Sequence, residues 1–214
     1  MPAPDQCSTR TGAAVVWAAV LFTVAGCRPL HVQASSPPAD PPAQVKTAAP
    51  LKVIQASSHV TGLPYPPRCA LTQHNNAWVP DPTCTPGSVR SDVTQATIKT
   101  TICAKGWATS VRPPLKETAP VKRAAMLAYD EIASKVRTTE FDHLVPLQLG
   151  GSSDVTNLWP EPSDLPGQGF RNTKDTVEDS LNKAVCTGKV QLADAQIAIA
   201  REWETAEQAL GLSQ

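Results

Sequence analysis

Residues 138 to 159, TTEFDHLVPLQLGGSSDVTNLW, leave the chain few ways to fold. Thr138 to Leu149 has strand character that Pro146 interrupts, because proline cannot donate to a sheet ladder. Gly150-Gly151 lets the chain reverse, and Val155 to Trp159 then supplies a second strand. The expectation is a β-hairpin with a loop-rich tip. That hairpin carries Asp142 beside His143, and Asn157 follows the histidine by fourteen positions. A carboxylate, an imidazole that titrates near neutral pH and an amide are the parts needed to activate water beside a divalent cation.

Helical spacing flanks this segment on both sides. Thr118 to Val136 reads as a helix with Thr118 as N-cap, Pro120 in the first turn, and Ala124, Leu127, Ala128, Ile132 and Val136 at helical intervals. After the proline-rich EPSDLPGQG stretch, Phe170 to Cys186 repeats Val177, Leu181 and Val185 every four residues, and Gly188 follows as a stop. A last helix from Leu192 to about Leu210 carries Ile197, Ala200 and Trp203 on one side and Glu202, Glu204 and Glu207 on the other. Upstream, Leu63 to Gly87 is dense in proline and reads as irregular, Asp92 to Ile102 is compatible with a short helix, and Trp107 to Pro114 favours a strand ended by its double proline. The fold class is α+β, with the late helix packed on the hairpin.

The N-terminus reads as an export signal. Gly12 to Gly26 is an uncharged, mostly apolar run of fifteen residues preceded by Arg10. About 20 residues are needed to cross a bilayer as a helix, so a permanent span is the weaker reading. Val24-Ala25-Gly26-Cys27 resembles a bacterial lipobox, which assigns residues 1 to 27 to a lipoprotein-type signal peptide and makes Cys27 the lipidated N-terminus anchored to a membrane. Cleavage after Val32-Gln33-Ala34, giving a freely secreted protein, is the alternative. Residues 28 to 62 are rich in Pro, Ala and Ser and read as a disordered tether. Residues 63 to 214 remain as one domain, enough for a modest core.

Four cysteines fall in that domain, Cys69, Cys84, Cys103 and Cys186, and an even number in an exported chain implies two disulfides. Of three pairings, Cys69 with Cys84 and Cys103 with Cys186 is preferred, the first closing a short proline-rich loop and the second tying the N-terminal extension to the late helix. No C-x-x-C pair occurs and His74 is the only histidine near Cys69 and Cys84, so no zinc cluster is expected.

Charge narrows the partner. From Leu63 to Gln214 there are 15 Lys and Arg against 17 Asp and Glu, which lacks the basic footprint of an avid nucleic-acid binder. Lys99 to Arg123 nevertheless holds six basic residues and only Glu117 as an acid. Beside the Asp142-His143 pair, that stretch could follow a phosphate backbone; elsewhere it is a solvated surface.

Residues 140 to 186 resemble the HNH endonuclease superfamily, also called the ββα-metal or His-Me finger group. The likeness rests on the D-H-x-x-P opening at Asp142, His143 and Pro146, the double glycine and the step from His143 to Asn157. The phrases TIC at Thr101 to Cys103 and NLWPEP at Asn157 to Pro162 are similar to those of small secreted HNH-like proteins of bacteria. The resemblance implies a ββα-metal core over residues 138 to 186 and an exported, divalent-metal-dependent endonuclease of little sequence specificity. Nucleic acid, DNA foremost, would be the substrate, one magnesium or manganese ion would be bound, and no small-molecule cofactor is implied. It makes His143 the general base, Asp142 a cation ligand and Asn157 the residue that fixes the loop. The family's third position, a His or Asn early in the helix, falls on Pro166, where this sequence departs from the pattern. Asn172 and Asp175 remain as metal ligands, Lys174 as a phosphate contact and Glu161 as an outside option. The competing reading is a non-catalytic envelope lipoprotein that binds a polyanion on the same scaffold.

Overall fold

The computed structural model describes residues 49–213 apart from residues 75–76, 132 and 166–169. The signal peptide with Cys27, the tether up to residue 48, Ile132 and Pro166 lie outside the described residues. No helix among the described residues is long and apolar enough to cross a membrane.

Structure begins earlier than the tether reading implies. Strand β1 (Lys52–Ile54) runs parallel to β4 (Ser88–Arg90), with Val53 opposite Val89. Thr61 goes on to donate its backbone N–H to Ser153 O and accept from Val155 N, at 3.1 and 3.0 Å. Both attachments are made mainly by the backbone, and Lys52 and Val53 stay exposed, so composition carries no sign of them. Between them β2 (Thr72–His74) pairs antiparallel with β3 (Ala77–Val79) in the otherwise irregular proline-rich region.

The expected hairpin is β5 (Thr139–His143) paired antiparallel with β6 (Leu158–Pro162), Asp142 facing Trp159 and His143 facing Leu158. The second strand starts later than Val155 because Val155–Asn157 coils into a 3-10 turn, capped by Asp154, whose side chain accepts from Thr156 N. Leu147–Leu149 makes a similar turn that ends on Gly150 in the left-handed region (φ 77°). A side chain at Gly151 would collide with the backbone carbonyl of Val145, so the two glycines serve different needs, one conformational and one of space.

Several helices differ from the sequence reading. Trp107–Val111 is helical (α1), not extended: Trp107 and Val111, four apart, both turn inward, and Gly106 enters the helix at φ 81°. Helix α2 (Leu115–Ala128) starts from Pro114 as N-cap, ahead of Thr118, and stops well before Val136. Asp130 there adopts φ 53°, beyond which Ala133–Arg137 forms only a 3-10 turn. Residues 92 to 102 form successive turns, since Thr97 Oγ1 donates to Asp92 O at 2.8 Å and accepts from Thr94 N, competing with the helical ladder. Helix α3 (Thr173–Cys186) begins at Asn172 rather than Phe170. The last helix breaks into α4 (Leu192–Glu202), a 3-10 turn at Trp203–Thr205 and α5 (Ala206–Ala209).

The hairpin lies between two apolar clusters. Tyr65, Val121, Ala125, Leu144 and Trp159 gather with Cys69 and Cys84 in one. Val145, Leu149, Leu181, Val185, Ile199 and Trp203 belong to the larger, which joins α3 and α4. Disulfides link Cys69 to Cys84 and Cys103 to Cys186, the preferred pairing. The second spans 83 residues, for which the chain-entropy model gives about 4.5 kcal/mol.

Gly151→Ala is expected to lower stability by about 3 kcal/mol or more, because the methyl meets a fixed carbonyl. Gly188→Ala, in open space at φ 75°, should cost about 1 kcal/mol. Urea denaturation of both variants checks the contrast.

Candidate active site

His143 ends β5 with its side chain buried. Its Nε2 lies 3.0 Å from Ser153 Oγ, a hydrogen bond that fixes the ring across the loop. Burial, with Arg112 and Lys174 nearby as positive neighbours, pushes the imidazole down to about 3. The ring is therefore neutral across the physiological range.

Asn157 is fully buried and uses its whole amide. Its Nδ2 donates to Val145 O (2.9 Å) and Ser152 O (2.8 Å), while its Oδ1 accepts from Val145 N (2.9 Å) and Ser88 N (3.3 Å). One side chain thus clamps both ends of the loop after His143 and ties it to β4. No polar atom of Asn157 is left over for chemistry.

On the opposite face of β5, Asp142 Oδ2 accepts from Trp159 Nε1 at 2.9 Å and from Lys174 Nζ at 2.8 Å. Lys174 also donates to His143 O (3.0 Å) and Glu178 Oε1 (2.5 Å) and is 0% exposed. An ammonium has three protons, and all three are used inside the protein. Lys174 is therefore a buried structural cation, and the phosphate contact considered for it has no donor to make it. The surrounding carboxylates hold it protonated.

Asn172 and Asp175 are occupied in starting α3. Asn172 accepts from Asp164 N at 3.0 Å, and Asp175 Oδ2 accepts from Asn172 N at 3.1 Å, closing a capping box. Asn172 is buried at the cap, whereas Asp175 also lines a pocket with Asp142. Of the three helix candidates, the one that reaches both Asp142 and His143 is the lysine.

Acid outnumbers base here. Glu140 and Glu161 sit directly opposite each other in the hairpin, and Glu178 joins them from α3. Burial first, and the Asp142 charge second, pushes Glu140 up to about 8 and raises Glu161 well above the carboxylate range. Burial likewise raises Glu178 to about 7 against the pull of Lys174. Sequence reading passed over Glu140, Ser153 and Glu178. The Lys174 to Glu178 spacing of i, i+4 was a usable sign of the last.

Two pockets meet at His143. One, of about 220 Å³, is lined by Arg112, Glu140, Asp142, His143, Asp175 and Glu178. The other, of about 440 Å³, shares Arg112, Glu140 and His143 and adds Lys122, Arg123 and Phe170. Arg112 and Arg123 are exposed, while Lys122 Nζ is engaged by Val136 O and Thr139 O and stands 4.9 Å from the Phe170 ring centre. Part of the basic stretch from Lys99 to Arg123 therefore borders the histidine. Compared with family models, curated proteins and solved structures, the chain matches none.

The sign of the acid shifts fixes a pH effect. Glu140 and Glu178 keep protons in the folded protein that the unfolded chain releases near 4.5, so stability is lost as pH rises from about 5 to about 8. His143, depressed when folded, opposes this only below about 6.5. Chelator-treated protein should lose melting temperature between pH 6.5 and 8, and Glu140→Gln with Glu178→Gln should flatten that slope. Lys174→Met should cost about 3–5 kcal/mol near pH 8 and less at pH 5, where Glu178 takes up a proton. Thermal melts across pH check both expectations.

Proposed function

We propose that the protein is an exported phosphodiester hydrolase of the HNH, ββα-metal type, acting on nucleic acid with little sequence preference. The observation that carries this reading is the neutral, anchored His143 at the junction of an acid-lined and an arginine-edged pocket. A phosphodiester needs cationic contacts on one side of the attacking water and charge neutralisation on the other.

The donors fit a hard divalent cation. The acid-lined pocket holds the carboxyl groups of Asp142, Glu140, Asp175 and Glu178, which suit magnesium or manganese retained partly through water. When bound there, the cation would neutralise phosphate charge and stabilise the leaving oxygen. In the tautomer that donates Nε2–H to Ser153 Oγ, His143 would keep the Nδ1 lone pair to take a proton from water. Arg112 and Arg123 would hold the phosphate, a task that falls to them because Lys174 is buried. Asn157 acts as a positioning residue by fixing the loop behind His143. The order strand, strand, helix, with Lys174 of α3 reaching Asp142 of β5, supports this reading. Export is supported by two disulfides, which persist in oxidising compartments; lipidation at Cys27 rests on the lipobox resemblance of residues 24–27 alone.

A non-catalytic polyanion-binding lipoprotein is the second reading. It is favoured by Lys174, whose ammonium fills the space between Asp142 and Glu178.

A supercoiled-plasmid nicking assay separates the two. Cleavage should require added Mg²⁺ or Mn²⁺, stop with chelator, and fall at least about 10²-fold in His143→Ala with circular dichroism unchanged. Activity should climb from pH 6.5 to 8.5, as Glu178 and Glu140 ionise and His143 stays neutral. Binding without cleavage under every divalent ion, abolished by Arg112→Ala with Arg123→Ala, would establish the second reading instead.

A further inference from the structure

A second cluster of ligating side chains lies away from His143, where the β2–β3 hairpin meets the C-terminal helices. Glu202 ends α4 at φ −150° and ψ 77°, and this break lets Glu204, two residues on, turn to the same side. An unbroken helix would set those two side chains about 200° apart. His74, at the end of β2, faces both.

The separations do not suit hydrogen bonding. His74 Nδ1 stands 3.5 Å from Glu202 Oε2 and 3.6 Å from Glu204 Oε1, and the three ligand atoms lie within 4.8 Å of one another. Hydrogen bonds to an imidazole are shorter, whereas donors placed tetrahedrally at about 2.0–2.1 Å from a zinc ion lie about 3.3–3.4 Å apart. The two separations from His74 are close to that spacing, and the three atoms lie near enough to converge on one ion.

Glu204 provides an independent reason. Its side chain is only 10% exposed, and its Oε2 is buried with no hydrogen-bond partner among the described residues. A carboxylate desolvated in this way is costly unless a proton or a cation answers it, and burial raises Glu204 accordingly. Two carboxylates and a neutral imidazole carry two negative charges, which one divalent ion balances. An imidazole among the donors favours zinc over magnesium or calcium. His74 and Glu202 also border a cavity of about 380 Å³, and their exposure leaves room for water as a fourth ligand.

We propose that His74, Glu202 and Glu204 form a zinc site that fastens the β2–β3 hairpin to the C-terminal helices. It strengthens a junction already made by Trp203 Nε1, which donates to Trp78 O at 2.9 Å. The ion is separate from the one assigned beside Asp142 and takes no part in reaction at His143.

Calorimetric titration of the chelator-treated full chain with Zn²⁺ tests the site. One equivalent should bind at micromolar strength, with affinity about tenfold or more weaker in His74→Gln and in Glu204→Gln, and unchanged in His143→Ala. His74 is exposed, so His74→Gln leaves the fold intact and isolates the ligand's loss. Zinc should raise Tm by several degrees in the parent chain but not in His74→Gln, and Mg²⁺ should not compete. No stoichiometric zinc, equal binding by His74→Gln and the parent, loss of binding in His143→Ala, or displacement by Mg²⁺ would each overturn the assignment.

Discussion

A single buried ammonium holds the site together. Lys174 bridges Asp142 on the hairpin, the carbonyl of His143 and Glu178 on its own helix, so α3 cannot leave the strands without stranding a charge in apolar surroundings. The lysine draws carboxylates inward, and their number exceeds what one positive charge can balance. Glu140 and Glu161 face each other across the strand pair. Burial first, with the Asp142 charge adding to it, raises Glu140, Glu161 and Glu178 despite the lysine.

The same charge shapes the histidine. Lys174 and Arg112 repel a proton from His143 while burial removes the water that would solvate it. A neutral imidazole whose far nitrogen is pinned by Ser153 is a base prepared in advance, with no need to lose a proton before it works. Asn157 secures this arrangement by spending all of its amide on the loop backbone, and Gly151 leaves the room that the amide needs. The proposed hydrolysis thus uses the acid-lined pocket for a metal and the arginine-edged pocket for phosphate. Either pocket alone would fit many roles; their meeting at one imidazole is what favours this one.

Much of the hairpin was legible in the sequence because its signals are local. Pro146, Gly150-Gly151 and the strand-favouring runs act within a few residues of themselves, and four cysteines left few pairings. What escaped depends on contacts distant in sequence. The strand at Lys52–Ile54 exists because β4 offers a backbone edge, which no composition reveals. Trp107–Val111 has residues that favour strands but is helical, with Trp107 packed against the larger apolar cluster and Val111, four residues on, also buried. At the site, Asp142, His143 and Asn157 could be named from their pattern, whereas Lys174 stood as one of three candidates in the helix. In the first turn of α3, Asn172 and Asp175 close a capping box, Lys174 reaches Asp142 and the His143 carbonyl, and Asp175 also borders the pocket beside Asp142. The glutamates surrounding it come from three places along the chain, and no spacing rule collects them.

Carbon-detected NMR titration of the glutamate carboxyls, with and without Mg²⁺, addresses the central claim that acid in excess of Lys174 awaits a cation beside His143. The account predicts that Glu140 titrates near 8 and Glu178 near 7 in chelator-treated protein, and that both fall when Mg²⁺ is added. Ordinary values near 4.5, or raised values indifferent to the metal, would contradict it.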